Sequence, residues 1–137
     1  MRHWLLKSEP TAYSWDQLVR DGATSWTGVR NHQAASNLKA MRVGDRGFFY
    51  HSNEGREIVG LIEIVKPAYR DPTDKTGSFV AVDVKPLAPV KTRVTLAAIK
   101  ALPKLKGMAL LRQGRLSVSE VTHAEWAIIA GLAGLTP

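Results

Sequence analysis

The sequence predicts one α+β domain over residues 1–137, built on a strongly curved sheet or small barrel of about five to six strands with flanking short helices. Three observations predict it. Apolar runs of strand length recur along the chain, capped helical segments fall before, between and after them, and no repeat, low-complexity tract or linker divides the sequence. At 137 residues, with 45% hydrophobic and 23% charged side chains, the chain suits a single domain with its own core.

Trp4-Leu5-Leu6 reads as a short buried strand that stops at Glu9-Pro10, because Pro10 lacks an amide hydrogen and biases Glu9 away from helix. Lys7 and Ser8 then sit at the strand end. Ser14 can cap a short helix, with Gln17 reaching back and Tyr13 packing onto Leu18, and Gly22 ends it. After the polar stretch Ala23 to Gly28, Asn31 can cap a second helix from about His32 to Met41, with Ala34, Ala35, Leu38 and Met41 at helical spacing. Val43-Gly44-Asp45 closes it. Gly47 to His51 and Glu57 to Val65 predict an antiparallel hairpin around the polar loop Ser52 to Arg56. A turn-rich loop, Asp71 to Ser78, leads into a strand over Phe79 to Val84, and Pro86 and Pro89 are expected to break regular structure. Thr95 caps a short helix that ends before Pro103, and Leu116-Ser117-Val118 reads as a last strand. Thr122-His123-Ala124-Glu125 is a capping box for a final helix carrying Trp126, Ile128, Ile129 and Leu132.

Nineteen Lys and Arg against twelve Asp and Glu leave a net charge of +7, which favours polyanionic partners, nucleic acid first among them. Charge alone does not separate nucleic acid from an acidic membrane surface. The three-residue apolar run before Lys7 is too short for a signal-peptide core or a membrane span, so no membrane association and a cytoplasmic, or nucleoid-associated, monomer are expected. The absence of cysteine excludes disulfides, thiolate nucleophiles and cysteine-based metal sites. There is no G-x-S-x-G elbow, Walker loop, H-E-x-x-H or dinucleotide fingerprint, and His3, His32, His51 and His123 lack ligand spacing. No cofactor, metal or catalytic residue is therefore expected.

Three of the four tryptophans, Trp4, Trp15 and Trp126, lie where packing accounts for them. Trp26 lies among Ser25, Thr27 and Gly28 with no apolar period around it, so either a flat ligand stacks on it or it folds back as a plug. A stacked base contributes about 1 to 3 kcal/mol, close to what unstacking it from a duplex costs, so polar groups must also read its edge. Ser8, Arg30, Asn31, Tyr50, Ser52, Asn53, Arg112, Gln113 and Ser117 are the candidates, with Asn31 equally suited to capping its helix. Lys100, Lys104, Lys106, Arg112 and Arg115 make the densest basic region, suited to phosphates or to a solvated face. Lys7 and Glu9, two apart at a strand end, face the same way and would suit general acid-base work if burial shifted them.

Five motifs, Trp4-Leu5-Leu6-Lys7-Ser8-Glu9-Pro10, Trp26-Thr27-Gly28-Val29-Arg30-Asn31, Phe48-Phe49-Tyr50-His51-Ser52-Asn53, Ile58-Val59-Gly60 and Leu111-Arg112-Gln113-Gly114-Arg115-Leu116-Ser117-Val118, resemble those of the EVE domain family in its order. The likeness covers essentially the whole chain. It implies a PUA-like curved or closed β-barrel with flanking short helices, distantly related to the YTH domains that hold methylated adenine in RNA. It also implies a non-catalytic reader of a flipped, modified base, with modified cytosine in DNA favoured over RNA. Carried over by position, the base pocket would be Ser8, Trp26, Arg30, Asn31, Tyr50, His51, Ser52 and Asn53, closed by Arg112, Gln113 and Ser117, with Lys7, Lys104, Lys106 and Arg115 on phosphates. The sequence departs from the family's commonest form at Trp15 and at Glu54-Gly55-Arg56-Glu57, positions expected to affect loop shape more than the pocket. Two alternatives remain open: a hydrolase of acylated nucleosides, resembling the PUA-like ASCH group, with Lys7 and Glu9 as its suspects, and a binder of a free nucleotide or another planar small molecule.

Overall fold

The computed structural model describes residues 1–135 and arranges them around one six-stranded mixed sheet. The strands are β1 (His3–Ser8), β2 (Thr24–Trp26), β3 (Arg46–His51), β4 (Glu57–Arg70), β5 (Val80–Thr95) and β6 (Val118–Val121), in the spatial order β2-β5-β4-β3-β1-β6. Only β1 and β3 run parallel. The helices are α1 (Trp15–Asp21), α2 (His32–Ala40), α3 (Leu96–Lys100), α4 (Ala109–Arg112) and α5 (His123–Leu132), with a single 3-10 turn at Pro103–Leu105.

The expected curved or closed barrel is wrong. β2 pairs only with β5 and β6 only with β1, so the two margins never meet and the sheet is open. The reason lies in how the central strands are buried. Trp4, Leu6 and Phe49 point into one apolar cluster with Leu18, Leu38 and Trp26, while Leu5, Phe48 and Tyr50 point into a second with Ile99, Leu105 and Ile129. A barrel turns one face inward upon itself. Here helices cover both faces, α1 and α2 on one and α3, α4 and α5 on the other, so closure is not needed to bury either.

The caps form as the sequence requires. Ser14 and Gln17 close a reciprocal capping box, Asn31 accepts from the Ala34 amide at 2.9 Å, Thr95 accepts from Ala98, and Thr122 and Glu125 form the second box. Gly22 ends α1 in the left-handed conformation, φ 77°.

Four local expectations are corrected. The polar stretch after Gly22 contains a strand, β2, held by pairing with Val82 to Val84. β4 continues past Val65 to Arg70. β5 runs through Pro86 and Pro89 to Thr95, because both prolines sit among register shifts where β4 and β5 bulge against each other, and a bulge tolerates a missing donor. The last strand starts at Val118, since Leu116 and Ser117 belong to the turn that precedes it.

Three segments meet at the C-terminal end of β1. The Lys7 amide donates to the Ser117 carbonyl at 2.9 Å, and the Ser52 amide donates to the Ser8 carbonyl at 3.0 Å. The strand end is thereby flanked by the turn before β6 on one side and the β3–β4 hairpin on the other.

Candidate nucleic-acid interface

Two cavities open at that strand end and share Lys7 and Glu9 as their common ridge. The larger, about 600 Å³, is walled by Tyr50, Ser52, Asn53, Arg56, Arg115 and Ser117. The smaller, about 390 Å³, is walled by Ser8, Tyr13, Thr24, Ser25, Trp26 and Thr27. One is polar and cationic, the other aromatic and hydroxyl-lined.

Lys7 anchors the ridge. Its Nζ donates to the Gly114 carbonyl at 2.7 Å and lies 6.0 Å from the centre of the Tyr50 ring. Burial lowers its pKa. The carbonyl fixes the position of the Lys7 nitrogen at the junction of the two cavities. Glu9 is exposed, and among the described residues its carboxylate is uncommitted, while its backbone carbonyl accepts from Ala12 and Tyr13. The alternation of β1 does bring both side chains to one place.

Trp26 is buried, with 8% of its surface exposed, and its ring meets Phe49 edge-on at 5.6 Å. The argument that it must stay exposed unless a ligand stacks on it therefore fails: pairing of β2 turns its side chain into the core while Ser25 faces out. What remains accessible of it still lines the smaller cavity. Tyr13 lines the same cavity, its hydroxyl donating to Asp21 at 2.8 Å. Ser8 lines it too, but its hydroxyl donates to the Tyr13 carbonyl at 2.6 Å and so holds the wall.

The remaining predicted residues are not gathered into one pocket. Tyr50, Ser52, Asn53, Ser117, Lys7 and Arg115 line the larger cavity as a group. His51 lines neither of the two cavities; its Nε2 accepts from the Trp15 amide at 3.1 Å, and burial, followed by the charge of Arg93, lowers its pKa. Arg30 turns away to Asp71 at 3.0 Å and Thr73 at 2.9 Å, with its guanidinium 5.6 Å from the Phe79 ring. Asn31 commits its side-chain oxygen to the cap of α2 and borders a separate hollow with Gln113 and Arg115. Arg112 and Gln113 border another hollow against β6 and α5, so they do not close the far side of the Trp26 cavity. Lys104 and Lys106 are exposed beside the 3-10 turn, away from these cavities.

Sequence reasoning missed Tyr13, Thr24, Ser25 and Thr27 as wall residues and Glu9 as a binding group. It also placed the change at Glu54 to Glu57 outside the pocket, whereas Arg56 lines the larger cavity. Asn53 and Arg56 hold positive φ values of 69° and 44°, uncommon for residues with a side chain. The hairpin thus keeps a constrained shape where it meets the groove.

Among the described residues no cluster of three or more His, Asp or Glu is arranged to hold a metal, and no helix is long and apolar enough to cross a membrane.

Comparison with known proteins adds what geometry cannot. The sequence profile described as "EVE domain" matches residues 2–132. Human thymocyte nuclear protein 1 is 32% identical over 169 aligned positions, which cover 98% of this chain and 75% of that protein. An NMR structure of a Rhodopseudomonas palustris protein superposes with a TM-score of 0.94 at 55% identity, covering 100% of this chain and 96% of that one. The crystal structure of human THYN1 protein in complex with DNA containing 5-methylcytosine superposes with a TM-score of 0.91 at 33% identity, covering 100% of each chain. A Zygosaccharomyces rouxii YTH domain shares the fold alone, at 17% identity and a TM-score of 0.62 over 96% of this chain and 86% of that one.

Proposed function

Because the chain belongs to the EVE domain family, we propose that it is a non-catalytic module that takes a flipped, modified cytosine of DNA into the aromatic cavity at the end of β1. The observation that carries this is the pairing of Trp26 and Tyr13 walls with an uncommitted carboxylate, Glu9, on a ridge whose other member is the cation Lys7. The related human protein that holds DNA containing 5-methylcytosine supports the same partner.

Each part has a physical task. The aromatic walls supply contact area for a base, which repays part of unstacking. Glu9 can accept from the exocyclic amine of cytosine, a donor that thymine lacks. Lys7, Arg56 and Arg115 bring positive charge to the cavity next door, where the phosphates of the extruded nucleotide would lie. A methyl group in an apolar pocket is worth about 1 to 3 kcal/mol, so the preference for modified cytosine is selective without being absolute. A monomer in the cytoplasm or on the nucleoid belongs to the same reading.

The test is a titration of wild-type protein and Glu9→Ala against matched duplexes carrying plain or 5-methylated cytosine, at two salt concentrations. Wild type is expected to prefer the methylated duplex by about tenfold, and binding is expected to fall steeply with salt. Glu9→Ala is expected to keep salt-sensitive binding while losing about tenfold in affinity for both duplexes, since plain and methylated cytosine carry the same amine. Wild type binding both duplexes alike overturns the proposal. Turnover of an acylated cytidine that disappears in Lys7→Ala would instead establish a hydrolase.

A further inference from the structure

The two cavities at the end of β1 are not the end of the concave surface. The larger one shares Gly114 and Arg115 with a hollow of about 310 Å³, and that hollow shares Gln33, Gln113 and Leu116 with a third compartment of about 490 Å³. Neighbouring hollows thus share wall residues in succession from Trp26, across Lys7, along the turn before β6 to the first turns of α2.

We infer that this last compartment, between α2, α4 and β6, carries the DNA strand that flanks the flipped nucleotide, with Gln33 and Gln113 reading the edge of a neighbouring base. The inference rests on the reading of the first groove as a nucleic-acid site, and three observations support it. Gln33 and Gln113 border both hollows, and among the described residues their side-chain amides are uncommitted. An amide with both its donor and its acceptor free is the group that pairs bidentately with adenine. Cationic groups punctuate the path, Arg115 at its entrance and Arg112 inside, where Nε donates to the Gly107 carbonyl at 2.6 Å and leaves the guanidinium tip for a phosphate. The one carboxylate on the wall, Glu120, is neutralised by a two-pronged pair with Arg2 at 2.8 Å, so the compartment does not repel a polyanion.

A surface glutamine alone indicates nothing, and a charged turn alone is a solvated face. The distinction here is concavity shared with the first groove. The arrangement also gives Arg112 and Gln113 a task that the Trp26 cavity, which they do not line, cannot give them.

The experiment compares full-length wild type with Gln33→Ala/Gln113→Ala, using one DNA that ends at the methylated cytosine and others extended on both sides with each of the four bases in turn beside it. Circular dichroism verifies folding. Gln33→Glu serves as a second variant, since it keeps the size of the side chain and places a negative charge on the path. Wild type is expected to gain affinity from extension, most with adenine in the flank. The double variant is expected to lose about tenfold on that extended DNA and nothing on the short one, and Gln33→Glu is expected to lose at least as much. Equal binding of extended DNA by wild type and both variants, for all four flanking bases, overturns the inference. Loss of the preference for methylated over plain cytosine would instead strike the pocket reading, and the dependence on extension is read separately from it.

Discussion

A side chain at Gly60 would fall on the indole of Trp15, because β4 passes directly beneath that ring. Gly60→Ala is therefore expected to lower stability by about 1 to 3 kcal/mol, the usual consequence of overpacking, as read by urea denaturation. The damage should travel, since the Trp15 amide is the donor that holds His51. Trp26 poses the opposite problem. With its ring against Phe49, Trp26→Ala is expected to cost about 3 to 5 kcal/mol of stability, which is why Glu9 is the better probe of base binding. A Trp26→Ala protein as stable as wild type would refute its packing role. Here the sequence was half legible: Trp26 stood out as an aromatic among small polar residues, but nothing local revealed that Val82 to Val84 would pair beside it. Tyr13, by contrast, could be read as a helix-entry residue only, because its second role depends on which surface β1 brings opposite it.

Among the elements, the loop between β4 and β5 carries the strongest electrostatic commitment. Burial by itself would raise the Asp71 carboxyl, but hydrogen bonds from Thr73, Gly28 and Arg30 outweigh it and hold the group well below its ordinary 3.8. The unfolded chain takes up that proton first as the pH falls. The stability contributed is thus complete above 3.8 and is lost as pH drops toward the native value. His3 and His51 behave alike at higher pH: burial lowers both from 6.5, so the unfolded state again protonates first and stability declines below 6.5. Urea midpoints measured against pH should accordingly fall in two stages, and Asp71→Asn should shrink the lower one, to which Asp74, Asp45 and Glu120 also contribute, while costing about 2 kcal/mol at neutral pH. A single-stage curve would contradict the assignment. Helices and their caps were legible because each signal is local, as with Ser14 and Gln17 or Thr122 and Glu125. The course of β5 was not, since whether Pro86 breaks a strand depends on a bulge in its partner.

For the molecule as a whole, strand order predicts a gradient of local stability. β1 and β3 lie between neighbours and between both apolar clusters, whereas β2 is three residues at the margin with one partner. Amide hydrogen exchange is expected to be slowest in Leu5, Leu6 and Phe48 and far faster in β2. Comparable protection in β2 would mean that something else covers that margin. Sheet closure itself was illegible, because the same alternation of apolar residues serves an open sheet covered on two sides and a barrel filled on one. The candidate site was legible as a set of residue types, while its division into separate hollows depends on which segments the fold brings against the turn at Gly114, and that is not a local signal.

The pairing of β1 with β6 carries a consequence for biosynthesis. Trp4 to Leu6 pair on one flank with β3 but find their antiparallel partners only among Val118 to Glu120, made more than a hundred residues later, and Lys7 finds its carbonyl only at Gly114. A chain emerging from the ribosome can therefore build the β3–β4–β5 meander early but must leave one flank of its most apolar strand unpaired until those later residues arrive. During that interval the binding ridge does not exist. An unfinished chain therefore presents an unpaired strand edge, the kind of surface that chaperones cover, in place of a completed groove.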